Sequence, residues 1–167
     1  MYQLEVKRWL VAHRFPPSDG WQVHVDVDAM ERAHGGQHNP DKAERAQNAE
    51  EALRAMGVTI GSHHRFGRAD VVAEHADRGL FLVEVEGDSS RQREQAVYSA
   101  LGQLVLQMDG AGHSFVLAVP DSADWERQLR KVPDYCRARL DLSCVLVSEA
   151  GVREPTLRDS EAEDRSV

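Results

Sequence analysis

No apolar run in this chain approaches the roughly 20 residues that a membrane span needs. The opening stretch, Met1-Tyr2-Gln3-Leu4-Glu5-Val6-Lys7-Arg8, lacks an apolar core followed by a cleavage site, so no secretory signal is expected. Cysteine is scarce: Cys136 and Cys144 each sit beside core-type apolar residues, which fits buried thiols better than a disulfide. Neither cysteine lies in a motif for nucleophilic catalysis. These absences read together as a cytoplasmic protein. A phosphate loop with lysine is also missing, because Gly110-Ala111-Gly112 precedes a strand-like segment where such a loop precedes a helix. Positive charge is short: the net charge of −8 excludes a general nucleic-acid coat and leaves only a local basic patch for that role. There is no internal repeat and no low-complexity block.

What is present is an ordinary globular mix, 41% hydrophobic and 29% charged, in 167 residues, enough for one domain with a core. Residues 1–150 are expected to form that domain and 151–167 an acidic, disordered tail, in which Glu154, Asp159, Glu161, Glu163 and Asp164 outnumber Arg158 and Arg165. Tyr2, Val6, Trp9, Leu10 and His13 are spaced as one face of a helix, stopped by the turn residues Phe15 to Gly20. Trp21 to Val27 alternates as a half-buried strand. Met30 to Asn39 reads as a loop. Asn39-Pro40 opens a helix that Gly57 terminates.

Further strands are expected at Val58–Ile60, on either side of a turn around Asp77, at Ser114–Val119 and at Leu142–Ser148. Helices are expected over Gln92–Met108, where Val97, Leu101, Leu104 and Met108 form one stripe, and after Ser122, broken at Pro133. Strand–helix–strand units after the hairpin predict parallel neighbours in a mixed β-sheet flanked by helices, an α/β fold.

The positions richest in chemistry are Asp70, in Gly67-Arg68-Ala69-Asp70-Val71-Val72, and Glu84 and Glu86, in Leu80-Phe81-Leu82-Val83-Glu84-Val85-Glu86-Gly87. A hairpin symmetric about Asp77 sets Val72 opposite Leu82 and Asp70 opposite Glu84. Glu84 and Glu86, two apart, share a strand face. Opposed residues have Cβ atoms about 5 Å apart. Three carboxylates on one face repel unless a cation joins them, and a divalent ion such as Mg²⁺ is the simplest candidate. The competing reading is the wet face of an antiparallel ribbon. Against it, Leu80 and Leu82 share the acidic face, so that face is apolar at one end.

Other candidates carry less. Asp26-Val27-Asp28 after a Val-rich strand resembles an acid pair at a strand end, but a solvated strand end explains it more simply. His63 and His64 are adjacent, so on a strand they point to opposite faces and read as exposed polar residues. His34 and His38 share a face only if their glycine-containing loop is helical, which weighs against a zinc site. Trp9, Trp21 and Trp125 fit apolar stripes and read as core.

The order of elements and these residues resemble the PD-(D/E)XK nuclease superfamily, with its restriction-endonuclease-like fold. Asp70 matches the first metal-binding aspartate, Glu84 the first acid of the second motif, and Glu86 stands where a lysine is usual. Ala100-Leu101-Gly102-Gln103-Leu104 is similar to the Gly-Gln-Leu of the following helix, and Gln95-Ala96-Val97-Tyr98 echoes a glutamine and tyrosine motif. Glu5 on the first helix is where many members carry an additional metal-linked glutamate.

The resemblance implies Mg²⁺- or Mn²⁺-dependent hydrolysis of DNA, or RNA, phosphodiester bonds. Asp70, Glu84, Glu86 and Glu5 are then the metal ligands. Glu86 serves as ligand or base, Gln103 lies near the metal or a phosphate, and Arg68, Arg91 and Arg93 neutralise phosphate charge. The missing lysine keeps a rival reading open: a catalytically degenerate protein of this fold that acts as a binding or regulatory module, with a homodimer or protein partner.

Overall fold

The computed structural model describes residues 1–33, 39–88 and 92–156. His34, His38, Arg91 and the acidic segment from residue 157 onward therefore lie outside the described residues.

Helix α1 (Gln3–Arg14) buries Leu4, Val6, Leu10 and Val11, and places Lys7 in the middle of the same buried stripe. The stripe is rotated from the one expected, since His13 is exposed and Leu4 and Lys7 are not. A short 3₁₀ turn leads to β1 (Gln22–Val25), whose valines alternate inward as the sequence requires. Helix α2 (Lys42–Ala55) starts two residues later than Pro40, with Asp41 at its N-cap, and ends at Gly57 in the left-handed region at φ +88°.

Then come β2 (Thr59–Ile60), β3 (Val71–His75) and β4 (Gly79–Val85), followed by α3 (Arg93–Leu106) and β5 (Ser114–Pro120). Two short helices follow: α4 (Ala123–Leu129) stops with Arg130 as its C-cap, and Pro133 is the N-cap of α5 (Asp134–Leu140). The chain continues through β6 (Leu142–Ser148) to β7 (Gly151–Arg153). Strand β7 pairs antiparallel with β6, so the boundary expected at residue 150 falls inside a hairpin and the domain runs at least to Arg153.

The described strands form one seven-stranded mixed sheet in the order β2-β1-β3-β4-β5-β6-β7. β1–β3 and β3–β4 are antiparallel, while β1–β2, β4–β5 and β5–β6 are parallel through helical crossovers. Period-two alternation gives the sheet two apolar faces. Val25, Val71, Val83, Val85 and Ala118 meet α1 and α2; Val72, Leu82, Leu117, Val119 and Leu146 meet α3 and α4. The result is a single-domain α/β fold with helices on both faces. No described helix is long and apolar enough to cross a membrane. Cys144 is buried and Cys136 half-buried, and both are free thiols; burial pushes the Cys144 thiol up to about 11.

Candidate active site

The hairpin register matches the expected one, with Val72 opposite Leu82 and Val71 opposite Val83. Continuing it one step beyond the ladder brings Asp70 beside Glu84, and the Val85 amide donates to Asp70 Oδ2 at 2.8 Å. The two carboxyl groups interact, since Asp70 is among the causes that raise the Glu84 pKa, and this pair is the heart of the site. Glu84 is 3% exposed. Burial first, then the negative Asp70, push its carboxyl up to about 9. Glu84 thus holds its proton to a higher pH than an exposed glutamate does. Gln107 opposes that shift: its Nε2 donates to Glu84 Oε1 at 2.7 Å, while Gln107 Oε1 is buried without a hydrogen-bond partner.

The other side of Asp70 is occupied by a lysine. Lys7 Nζ lies 2.8 Å from Asp70 Oδ1 and 2.8 Å from Glu31 Oε1, and it donates to the Asp26 carbonyl at 2.7 Å. The Lys7 side chain is wholly buried. Burial works to lower its pKa, but Asp70 and then Glu31 outweigh it and hold the ammonium above its ordinary value. Burial pushes the Glu31 carboxyl up even though Lys7 pulls it down. One ammonium therefore serves two carboxylates, better matched to Asp70 than to the more buried Glu31. Gln3 Nε2 adds a longer hydrogen bond to Asp70 Oδ1 at 3.3 Å.

Gly87 explains how α1 comes so close. A Cβ there would stand 2.4 Å from the Gln3 amide nitrogen, so only glycine lets the start of α1 lie on the end of β4.

The structure regroups the expected residues. Asp70 and Glu84 come together. Glu86 lies one residue beyond β4, half-buried, with its amide donating to Ala118 O at 3.0 Å. Among the described residues no group of three His, Cys, Asp or Glu side chains converges to hold a metal ion. Glu5 is not at the site. It accepts from Arg45 at 2.7 and 2.9 Å and caps its own helix through the Tyr2 amide, because it leaves α1 on a different side from Gln3 and Lys7.

Gln103 is exposed; one helical turn further on, Gln107 is the glutamine that reaches Glu84. Arg93 is held between Asp88 and Asp124 at 3.5 and 3.4 Å, over the Trp125 ring. Arg68 is exposed and makes no ion pair among the described residues.

Sequence reasoning missed Lys7, Glu31 and Gln107. Lys7 had a signal: it sits three residues from both Leu4 and Leu10, inside an apolar stripe. Glu31 lies in a segment read as loop, fixed by a reciprocal pair in which Glu31 N donates to Asp28 Oδ1 at 2.8 Å and Asp28 N to Glu31 Oε2 at 3.1 Å. Asp26 joins the rim, its amide donating to Asp70 O at 2.9 Å and its carboxylate accepting from Ser62 at 2.9 Å. His63 is half-buried rather than exposed, because residues 61–66 are not a strand. Its ring packs against His24 and His64 with centroids 4.8 and 4.3 Å apart.

No family model, curated protein or solved structure matches the chain.

Proposed function

We propose that this chain is a restriction-endonuclease-like protein that hydrolyses DNA phosphodiester bonds at the Asp70–Glu84 pair, with Mg²⁺ or Mn²⁺ as cofactor. The observation that carries the reading is the opposition of Asp70 and Glu84 at the end of one hairpin, with a single buried ammonium 2.8 Å from Asp70. Once Glu84 ionises, Asp70, Glu84 and Glu31 share the one charge of Lys7, and a divalent ion restores neutrality. Hard carboxylate oxygens suit such an ion, and Mg²⁺ commonly takes one or two carboxylates and completes its shell with water and substrate phosphate. Asp70 and Glu84 would hold it, and it would polarise a phosphoryl oxygen and acidify a bound water.

The order of elements supports the same reading: a helix, an Asp and a Glu on one hairpin, then helix, strand, helices and strand. Lys7 supplies from α1 the fixed positive charge that the Glu86 position cannot. It anchors Asp70 in place and sets a positive field beside the reacting centre. Gln107 orients Glu84, and Gln3 steadies Asp70.

One observation favours the rival, a binding or regulatory module without catalysis. Lys7 already pairs Asp70 and Glu31, and a protonated Glu84 leaves the site satisfied without an ion. The two readings part in a cleavage assay on single- and double-stranded DNA and on RNA, with Mg²⁺ or Mn²⁺. The nuclease reading expects metal-dependent cleavage that is lost in Asp70→Ala. Intact substrates under every condition would favour the module.

A further inference from the structure

Helix α3 is apolar on two sides. Val97, Ala100 and Leu104 are buried in the core, as the fold requires. Its outer side carries Tyr98, Val105 and Leu106, exposed by 51, 53 and 77%, three of the five large hydrophobic side chains that stand exposed among the described residues. Val105 and Leu106, with Ser99, Leu101, Gly102 and Gln103, line a shallow groove along the helix. From Gln95 to Met108 no side chain is charged, in a chain that is 29% charged. A contiguous apolar face of this kind marks an interaction site.

Gly102 is an independent observation. It lies inside α3, outside the left-handed region, and a Cβ added there would meet nothing within 4 Å. Nothing within the fold therefore asks for glycine, although glycine is the least favourable residue of a helix interior after proline. What it does allow is close approach of another backbone from outside.

We infer that this face docks a second copy of the chain, with the two α3 helices antiparallel and crossing at Gly102 about a two-fold axis. Such an axis requires a self-complementary surface, and the residues around Gly102 provide one. Tyr98 and Ser99 lie four and three residues before it, Val105 and Leu106 three and four after. At helical spacing all four share one side of α3. Tyr98 and Ser99 of one copy then meet Val105 and Leu106 of the other, and the reverse. The Tyr98 ring is already held: its hydroxyl donates to Glu94 Oε1 at 2.6 Å, and Lys131 pairs with the same carboxylate at 2.8 Å.

Charge selects the same partner. Copies of net charge −8 repel, and this face lets them meet without burying a charged side chain. A nucleic acid or an anionic membrane surface would need cations on the face, and between Gln95 and Met108 there is none. A helix of 14 residues is about 21 Å long. The pair of them buries less than the roughly 800 Å² per partner of a standard interface, so the dimer is a weak one, with a Kd in the micromolar range. The inference does not rest on the nuclease reading.

Sedimentation velocity of the full chain, from about 1 μM to about 1 mM, tests it. The expected result is a concentration-dependent shift from monomer to dimer. Leu106→Glu, at the most exposed of the apolar positions, is expected to weaken the dimer at least tenfold, with the far-UV circular dichroism of dilute protein unchanged. Adding Ser99→Lys sets opposite charges at facing positions of the two copies, and this double variant is expected to dimerise more tightly than Leu106→Glu alone. Tyr135→Ser, at a comparably exposed position on α5, is expected to leave the dimer unchanged. A monomer throughout the range, as a face reserved for a foreign protein would give, overturns the inference. So does a dimer that Leu106→Glu leaves at wild-type affinity, or a double variant no tighter than Leu106→Glu.

Discussion

Asp70 and Glu84 stand at opposed positions at the end of the β3–β4 hairpin, where the Val85 amide donates to Asp70 Oδ2 at 2.8 Å and burial together with Asp70 pushes the Glu84 carboxyl up. The folded Glu84 titrates at about 9 against an ordinary value of 4.5, so folding takes up a proton between those values. This contribution to stability is fully present below pH 4.5 and is lost as the pH climbs toward 9. Glu84→Gln, a neutral isostere that cannot ionise, is expected to remove that part of the slope and to be the more stable protein at pH 8. Urea denaturation of metal-free samples at pH 5, 7 and 9 checks it. Parallel stability curves for the two proteins would show that Glu84 carries no such proton.

The Lys7 ammonium is the electrostatic keystone of the same corner. Lys7→Met strands Asp70 and the buried Glu31 without their counter-charge and is expected to cost about 3–5 kcal/mol, the usual consequence of halving a buried ion pair. Adding Glu31→Gln is expected to recover part of the loss. The non-additivity of a double-mutant cycle, measured by chemical denaturation, reads the coupling. A loss below about 0.5 kcal/mol for Lys7→Met, the range of ordinary surface changes, contradicts the pairing.

Gln103 within α3 and Gln107 at its C-cap are expected to separate cleanly. Gln107→Ala removes the only described hydrogen bond that favours ionised Glu84, so the Glu84 pKa is expected to rise further, with a stability loss of about 1 kcal/mol. Gln103→Ala, on the exposed face, is expected to change stability by no more than about 0.5 kcal/mol. Carbon-detected NMR titration of the glutamate carboxyls, together with denaturation, distinguishes them. Equal effects would mean that the wrong turn of the helix has been assigned to the site.

Gly87→Ala is expected to destabilise the protein by about 1–3 kcal/mol, because its Cβ would strike the α1 backbone at Gln3. The same change pushes Gln3 and Lys7 away from Asp70, so any divalent-ion response should fall with it. Thermal melts with and without Mn²⁺ report both effects. A melt unchanged from wild type would mean that α1 does not seat on the end of β4.

The hairpin was legible because its information is local: alternation, a turn at His75–Gly79 and a register fixed by symmetry. Helices and parallel crossovers were equally readable from stripes and punctuation. The cradle of Asp70 was not, because Lys7 and Glu31 reach it from segments 63 and 39 residues away in the chain, and no periodicity encodes which of several charged side chains meet. Lys7 did break a local rule, a charge in an apolar stripe, and such violations mark sites more reliably than similarity of spacing. Glu5 matched a motif position and went elsewhere, since helix rotation is set by packing of Leu4, Val6 and Leu10. Gln103 failed for the same reason by a single turn. Strand β7 is three residues long, too short to stand out beside the charged segment that follows.

The central claim is that a divalent ion can take the place of the proton held by Glu84 beside Asp70. Calorimetric titration of the full chain with Mn²⁺ at pH 7, repeated in buffers of different ionisation enthalpy, measures that exchange directly. The account predicts one ion bound, about one proton released, and loss of both in Glu84→Gln. Binding without proton release, or a Glu84→Gln protein that binds Mn²⁺ as the wild type does, would contradict it.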